Sequence, residues 1–220
     1  MRKKLYTATW VLLLVVGIFL VSLPFLENSA IQHLISSEMN GKIVQQDKNK
    51  KANFDFSKIE SVSASSISKA IFSHKHTMIG KISIPSVSIH LPVYYGMDNE
   101  ELLSGVGTMK PNQELGKGNY AIAGHHMNNE KILFGPLHRV VEGNAIYITN
   151  GKKVYKYEVS SVSVINQYDT QYITKKYKHP TLTLITCASG TPNEPNRTMV
   201  RAKLSSITDL NDKTAKYFKN

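Results

Sequence analysis

"TLTLITC", residues 181–187, is the stretch on which the reading of this chain turns. It follows Pro180, is rich in β-branched residues, and runs into the polar loop "ASGTPNEPN" at 188–196. Those are the marks of a β-strand that stops at a loop. Side chains alternate along a strand, so Thr183, Ile185 and Cys187 share one face and Leu184 and Thr186 share the other. Cys187 is the single cysteine in 220 residues. It has no partner for an internal disulfide, which leaves a buried small hydrophobe, an intermolecular link or a reactive thiol. Its place at a strand end beside a loop favours access.

Similar signals surround this strand. "MIGKISIPSVSIHLPVYYG" (78–96) reads as strand, proline turn and strand; "NYAIAGHH" (119–126) as a short strand. "NAIYIT" (144–149) and "KKVYKYEVSSVSVI" (152–165) are strands joined by "NGK", a hairpin turn. "TMVRAKL" (198–204) closes the set. "DNEELLSGVG" (98–107) reads as a short helix with Asp98 as N-cap and Glu101 three residues on. Closely spaced strands with few helices indicate an all-β barrel or sandwich.

The N-terminus is of another kind. Arg2, Lys3 and Lys4 precede residues 5–26, which carry no charge, and Glu27 follows. About 22 helical residues span roughly 33 Å, enough for a bilayer core. Basic residues before the span favour a cytoplasmic N-terminus and an extracytoplasmic remainder. The apolar region is too long for a cleaved signal peptide and lacks a good cleavage site. Residues 27–75 are polar and rich in Ser and Lys, as expected of a stalk. The expected division is therefore a cytoplasmic tail (1–4), a transmembrane anchor (5–26), a stalk (27–75), a catalytic domain (76–206) and a C-terminal tail (207–220). No candidate catalytic residue lies before 76, so the domain is expected to survive removal of everything up to about residue 75.

The formal charge is +11. Lysines are spread along the chain, with no basic helix and no aromatic RNA-binding motif, which argues against nucleic acid. Anionic headgroups and wall polymers fit the charge better.

A thiol of ordinary acidity is only slightly ionised at neutral pH, so a cysteine nucleophile needs a proton carrier and cationic or hydrogen-bonding neighbours. His125 and His126 close the strand "YAIAG"; Arg197 opens the strand after the Cys187 loop. Arginine stays protonated and cannot be a base, but it can hold a developing oxyanion. His126 is a rival for the imidazole role and Arg201, four residues beyond Arg197, for the guanidinium. His74, His76, His90, His138 and His179 read as surface or packing residues, and none has zinc-ligand spacing with a cysteine.

Those parts, in that order, resemble the sortases, membrane-anchored cysteine transpeptidases of Gram-positive bacteria. "TLITC" (183–187) resembles the family's TLxTC signature, "AGH" (123–125) the histidine segment, and Arg197 the family arginine. The absence of a C-terminal span and the short gap after Cys187 make class A, the housekeeping type, the best match. The resemblance implies a closed eight-stranded β-barrel with short helices. It implies an LPXTG-like sorting signal on surface proteins as substrate and an amino group of a lipid II-type peptidoglycan precursor as acceptor. It implies Cys187 as nucleophile, His125 as acid and base, and Arg197 as oxyanion holder. Thr186 would add an oxyanion hydrogen bond, Ala123, Thr183 and Ile185 would line the substrate pocket, and residues 165–180 would cup the Leu-Pro end of the signal. Some class A relatives use calcium between two loops. Here those loops carry one carboxylate each, Glu114 beside Lys110 and Lys117, and Asp169 among basic residues, so no metal or other cofactor is expected. Two other classes stay open: a hydrolytic cysteine peptidase, and an anchored binding module whose Cys187 is merely buried.

Overall fold

The computed structural model describes residues 2–45, 52–56, 59, 62–72, 77–127, 129–191 and 193–219. His74 and His76 lie outside them. Eight strands close into a barrel: β1 (Met78–Ile84), β2 (Ile89–Tyr94), β3 (Val106–Thr108), β4 (Asn119–Ala123), β5 (Ala145–Thr149), β6 (Lys153–Asn166), β7 (Thr181–Cys187) and β8 (Asn196–Asp209). Their order around the barrel is β1-β2-β3-β4-β7-β8-β6-β5, with β5 returning to β1. Only two of the eight seams are parallel, β2 with β3 and β4 with β7. The expected all-β barrel is thus the fold observed.

Local chemistry explains the connections. Pro85 opens a one-turn 3-10 helix between β1 and β2, and Ser88 turns the chain back in the left-handed region at φ 56°. The expected hairpin joins β5 to β6, with Gly151 at φ +84° in its turn. Alternation sorts each strand into two faces. Leu182 and Leu184 of β7 enter the main core with Ile82, Ile122 and Val200, whereas Ile185 joins a second apolar cluster with Ala121 and Ala123 of β4 and Met199 of β8.

Three elements depart from the expectation. β3 takes up the tail of the stretch 98–107 and adds Thr108; the helix itself, α3 (Asn99–Leu102), is the short one expected, a single turn. Asp98 stands at its N-cap position but makes no capping hydrogen bond through its side chain. β8 runs on to Asp209 and is followed by α5 (Asp212–Ala215), and Tyr217 stacks on Tyr147 with ring centroids 4.0 Å apart. The C-terminal segment is thereby folded onto β5.

The third departure is larger. Helix α1 (Arg2–Met39) runs unbroken through Pro24 and far into the expected stalk. Its side chains from Trp10 to Val16 are exposed, but Ile31, Ile35 and Met39, spaced four apart on one face, are buried in the main core cluster. Ile67 and Ala70 of α2 (Ala64–Phe72) join them. The backbone is knitted in as well, with Val44 N donating to Met78 O and Met97 N to Asn53 O, both at 2.8 Å. The described parts of residues 27–72 therefore belong to the folded domain. The exposed half of α1 lies in the one helix among the described residues that is long and apolar enough to cross a membrane.

Candidate active site

Three strand ends meet at one end of the barrel. β7 and β8 pair antiparallel through Thr183↔Arg201, Ile185↔Met199 and Cys187↔Arg197. β4 and β7 pair parallel through Ala121↔Thr183 and Ala123↔Ile185. The pairing ends there, and His125 and His126 follow just beyond the end of β4, on the side where β7 ends at Cys187. Cys187 and Arg197 thus stand opposite each other at the strand ends, on the face that carries Ile185 and Met199, with His125 at the same end of the barrel. Arg201 is on the same face but two pairs away from Cys187; its Nε donates to Ser161 Oγ at 3.0 Å and its guanidinium lies 5.9 Å from the Tyr177 ring centroid.

Gly124 makes the turn out of β4 possible. A Cβ there would meet the Phe134 ring and the Val106 side chain at 2.9 Å. Gly124 N donates to Ile185 O at 3.2 Å, and Phe134 N to His125 O at 3.0 Å, so the main chain on both sides of His125 is held. Leu133, beside this grip, sits at φ 52° and bridges His126. A left-handed conformation at a buried Leu is strained, and such strain collects at functional sites.

The two histidines have different surroundings. Crowding by protein atoms disfavours the cation of His125 and pushes its pKa down to about 4, although one edge of the residue remains partly open to solvent. It is a neutral imidazole at physiological pH. The ring of His126 is turned to the main chain: Nδ1 donates to the Cys187 carbonyl oxygen at 3.0 Å, and the ring stacks on His138 with centroids 5.9 Å apart. Burial lowers the His126 pKa, and the bond to the Cys187 carbonyl opposes that shift. His126 therefore props up the end of β7, a role its sequence position did not disclose.

Cys187 is a free, half-exposed thiol. Arg197 is fastened from two loops: it donates to the Glu194 carbonyl, to the Asn196 carbonyl at 3.0 Å and to Gln167 Oε1 at 3.1 Å. Glu194 in turn accepts from Asn196 N at 2.8 Å and from Ser189 Oγ at 2.7 Å, bonds that hold its carboxyl below the usual range. Of the remaining residues expected at the site, Ala123 and Ile185 lie in the outer apolar cluster, two residues before His125 and Cys187 respectively. Thr183 is fully buried, with its hydroxyl donating to Asn119 Oδ1 at 2.8 Å. The Thr186 hydroxyl donates to Gly124 O at 2.8 Å. Its one proton is committed there, so in this arrangement Thr186 ties β7 to the histidine turn and does not offer an oxyanion donor.

The fold is a closed β-barrel with a free thiol at one strand end, an arginine paired opposite it, and two histidines just past the end of the adjoining strand. A family model described as the sortase domain matches residues 82–205. Over 186 residues the chain is 33% identical to sortase A of Listeria monocytogenes, covering 82% of this chain and 83% of that one. It is 37% identical over 204 residues to sortase A of Streptococcus agalactiae, covering 88% and 82%. Among solved structures, Listeria monocytogenes sortase A superposes with a TM-score of 0.61 at 37% identity, over 64% of this chain and 97% of that one. Sortase A from Corynebacterium diphtheriae gives 0.56 at 26% identity, over 86% and 88%. The chain belongs to the sortase family of cysteine transpeptidases.

Proposed function

We propose that this protein is a membrane-anchored transpeptidase that cleaves an LPXTG-like sorting signal between Thr and Gly. The freed carboxyl end passes to an amino group of a peptidoglycan precursor of the lipid II type. The observation that carries this reading is the register Cys187↔Arg197, with His125 just past the end of the neighbouring strand and the apolar surface of Ala123 and Ile185 alongside.

The chemistry follows from the residues. Neutral His125 takes the Cys187 proton as Sγ attacks the Thr carbonyl carbon. Arg197 stabilises the negative charge that develops on the carbonyl oxygen. The imidazolium gives its proton to the departing glycine amine, and the C–N bond breaks to leave a thioester on Cys187. An incoming amine loses a proton to His125 as it attacks the thioester, and the thiol is regenerated. The apolar patch supports binding of the Leu-Pro end. Leu5 to Leu26 would be the span, with Arg2, Lys3 and Lys4 on the cytoplasmic side and the barrel outside.

Mass spectrometry of the protein mixed with an LPXTG peptide tests this. The expected adduct on Cys187 retains the peptide up to Thr, and added amine converts it to an amide. Free acid in place of amide would make the protein a hydrolase; no adduct at all would remove the reading.

A further inference from the structure

Between β6 and β7, the short helix α4 (Gln171–Thr174) carries Ile173 into the outer apolar cluster, against the surface that includes Ala123 and Ile185. Its backbone is held from outside its own loop. Lys110 Nζ donates to the Ile173 carbonyl at 2.9 Å. Asn119 Nδ2 donates to the carbonyls of both Tyr172 and Ile173, each at 2.9 Å. Asn119 is itself oriented, because its Oδ1 accepts from the buried Thr183 hydroxyl. Lys110 is oriented too: the residue before it, Met109, donates its N–H to Ala121 O at 3.0 Å. Burial lowers the Lys110 pKa, as expected of an ammonium partly stripped of water. A helix of one turn has no stability of its own and stays folded only through such contacts.

We propose that Lys110 and Asn119 are positioning residues: they clamp α4 so that Ile173 forms a preset wall of the substrate pocket. This rests on the function proposed above. The clamp bonds main-chain carbonyls, so it fixes the shape of the wall whatever side chains α4 carries. Neither residue touches the reacting atoms, and their effect falls on recognition of the signal.

The test uses the full chain in detergent micelles with Lys110→Met and, as a milder change, Lys110→Gln. Losing a charge-assisted bond to a buried carbonyl loosens α4, and trypsin cleavage at Lys175, Lys176 and Lys178 is expected to rise about tenfold in Lys110→Met. For an LPXTG peptide, KM is expected to rise about tenfold while kcat stays within about twofold, the loss of one charged hydrogen bond. Lys110→Gln falls between. Unchanged proteolysis overturns the clamp. Faster proteolysis with unchanged KM, or a fall in kcat alone, overturns its service to the pocket. A wild-type protein that processes no sorting peptide removes the proposed function, and proteolysis then decides the clamp by itself.

Discussion

Cys187 and Arg197 are the last antiparallel pair of β7 and β8, directly opposite each other across the eight-residue loop that joins them. The guanidinium is held by carbonyls of its own loop and by Gln167 from the loop before β7. Arg197→Ala is expected to lower the rate of signal cleavage by about 100- to 1000-fold, the usual result of losing an oxyanion donor. Arg197→Lys recovers little, since an ammonium lacks the planar fork. Arg201→Ala, which breaks a bond to Ser161 away from the thiol, costs far less. Steady-state kinetics of the three variants decide; equal losses at 197 and 201 would refute the assignment.

Cys187→Ala is expected to abolish cleavage and leave the melting temperature nearly unchanged. The thiol is half-exposed at a strand end, so its loss opens no core cavity. Residual turnover above a few per cent would mean another nucleophile.

His125 makes stability depend on acid. Its folded pKa is about 4 against an ordinary 6.5. Between those values the unfolded chain binds a proton that the folded one refuses. The contribution is complete above about pH 6.5 and is lost as pH falls toward 4, with nothing further to lose below that. Melting temperatures of His125→Asn are therefore expected to fall less steeply over that window than those of the parent. Identical slopes would show that His125 is not shielded.

Truncation has an optimum. Deleting residues 1–26 removes exposed helix and should leave an active domain. Deleting residues 1–75 strips away Ile31, Ile35, Met39, Ile67 and Ala70, all buried. The larger aliphatic side chains contribute about 1.5–3 kcal/mol each, a large share of the 5–15 kcal/mol of a typical domain. The second truncation is expected to melt well below the first, contrary to what the stalk reading of the sequence implies. Calorimetry on both proteins settles the matter.

Cleavage rates in EGTA and in millimolar calcium are expected to agree at matched ionic strength. Calcium takes six to eight oxygens, several of them carboxylate. Glu114 is paired with Lys117 at 2.8 Å, and Asp169 accepts from Asn166 N and Gln171 Nε2. Among the described residues no three His, Cys, Asp or Glu gather where a metal could bind. A several-fold rise with calcium that Glu114→Gln removes would overturn this.

Much of the barrel is written in local patterns: period-two alternation, the Pro85 turn and the Asn150-Gly151 hairpin. β3 is not, because three residues with Gly107 in the middle carry no period, and their pairing with β2 is set by closure of the barrel. That His125, Cys187 and Arg197 lie at one end of the barrel follows once β4, β7 and β8 are known to be neighbours, which the order of motifs suggests but alternation alone does not. The bonds from Lys110 and Asn119 to α4 cross more than fifty residues and leave no trace in the sequence. The extent of α1 was legible in part: Ile31, Ile35 and Met39 recur every fourth residue, but the polar run from Glu27 to Ser29 reads as the end of the span.

The uninterrupted course of α1 also governs where the enzyme can work. Only four helical residues separate Leu26 from Ile31, five steps or about 7.5 Å of rise. Such a joint has little slack, so with the span proposed above the barrel would ride the lipid surface like a lamp on a short bracket. On the function proposed above, the end of the barrel that carries Cys187 would keep one height, and a sorting signal would be cleaved only at that level.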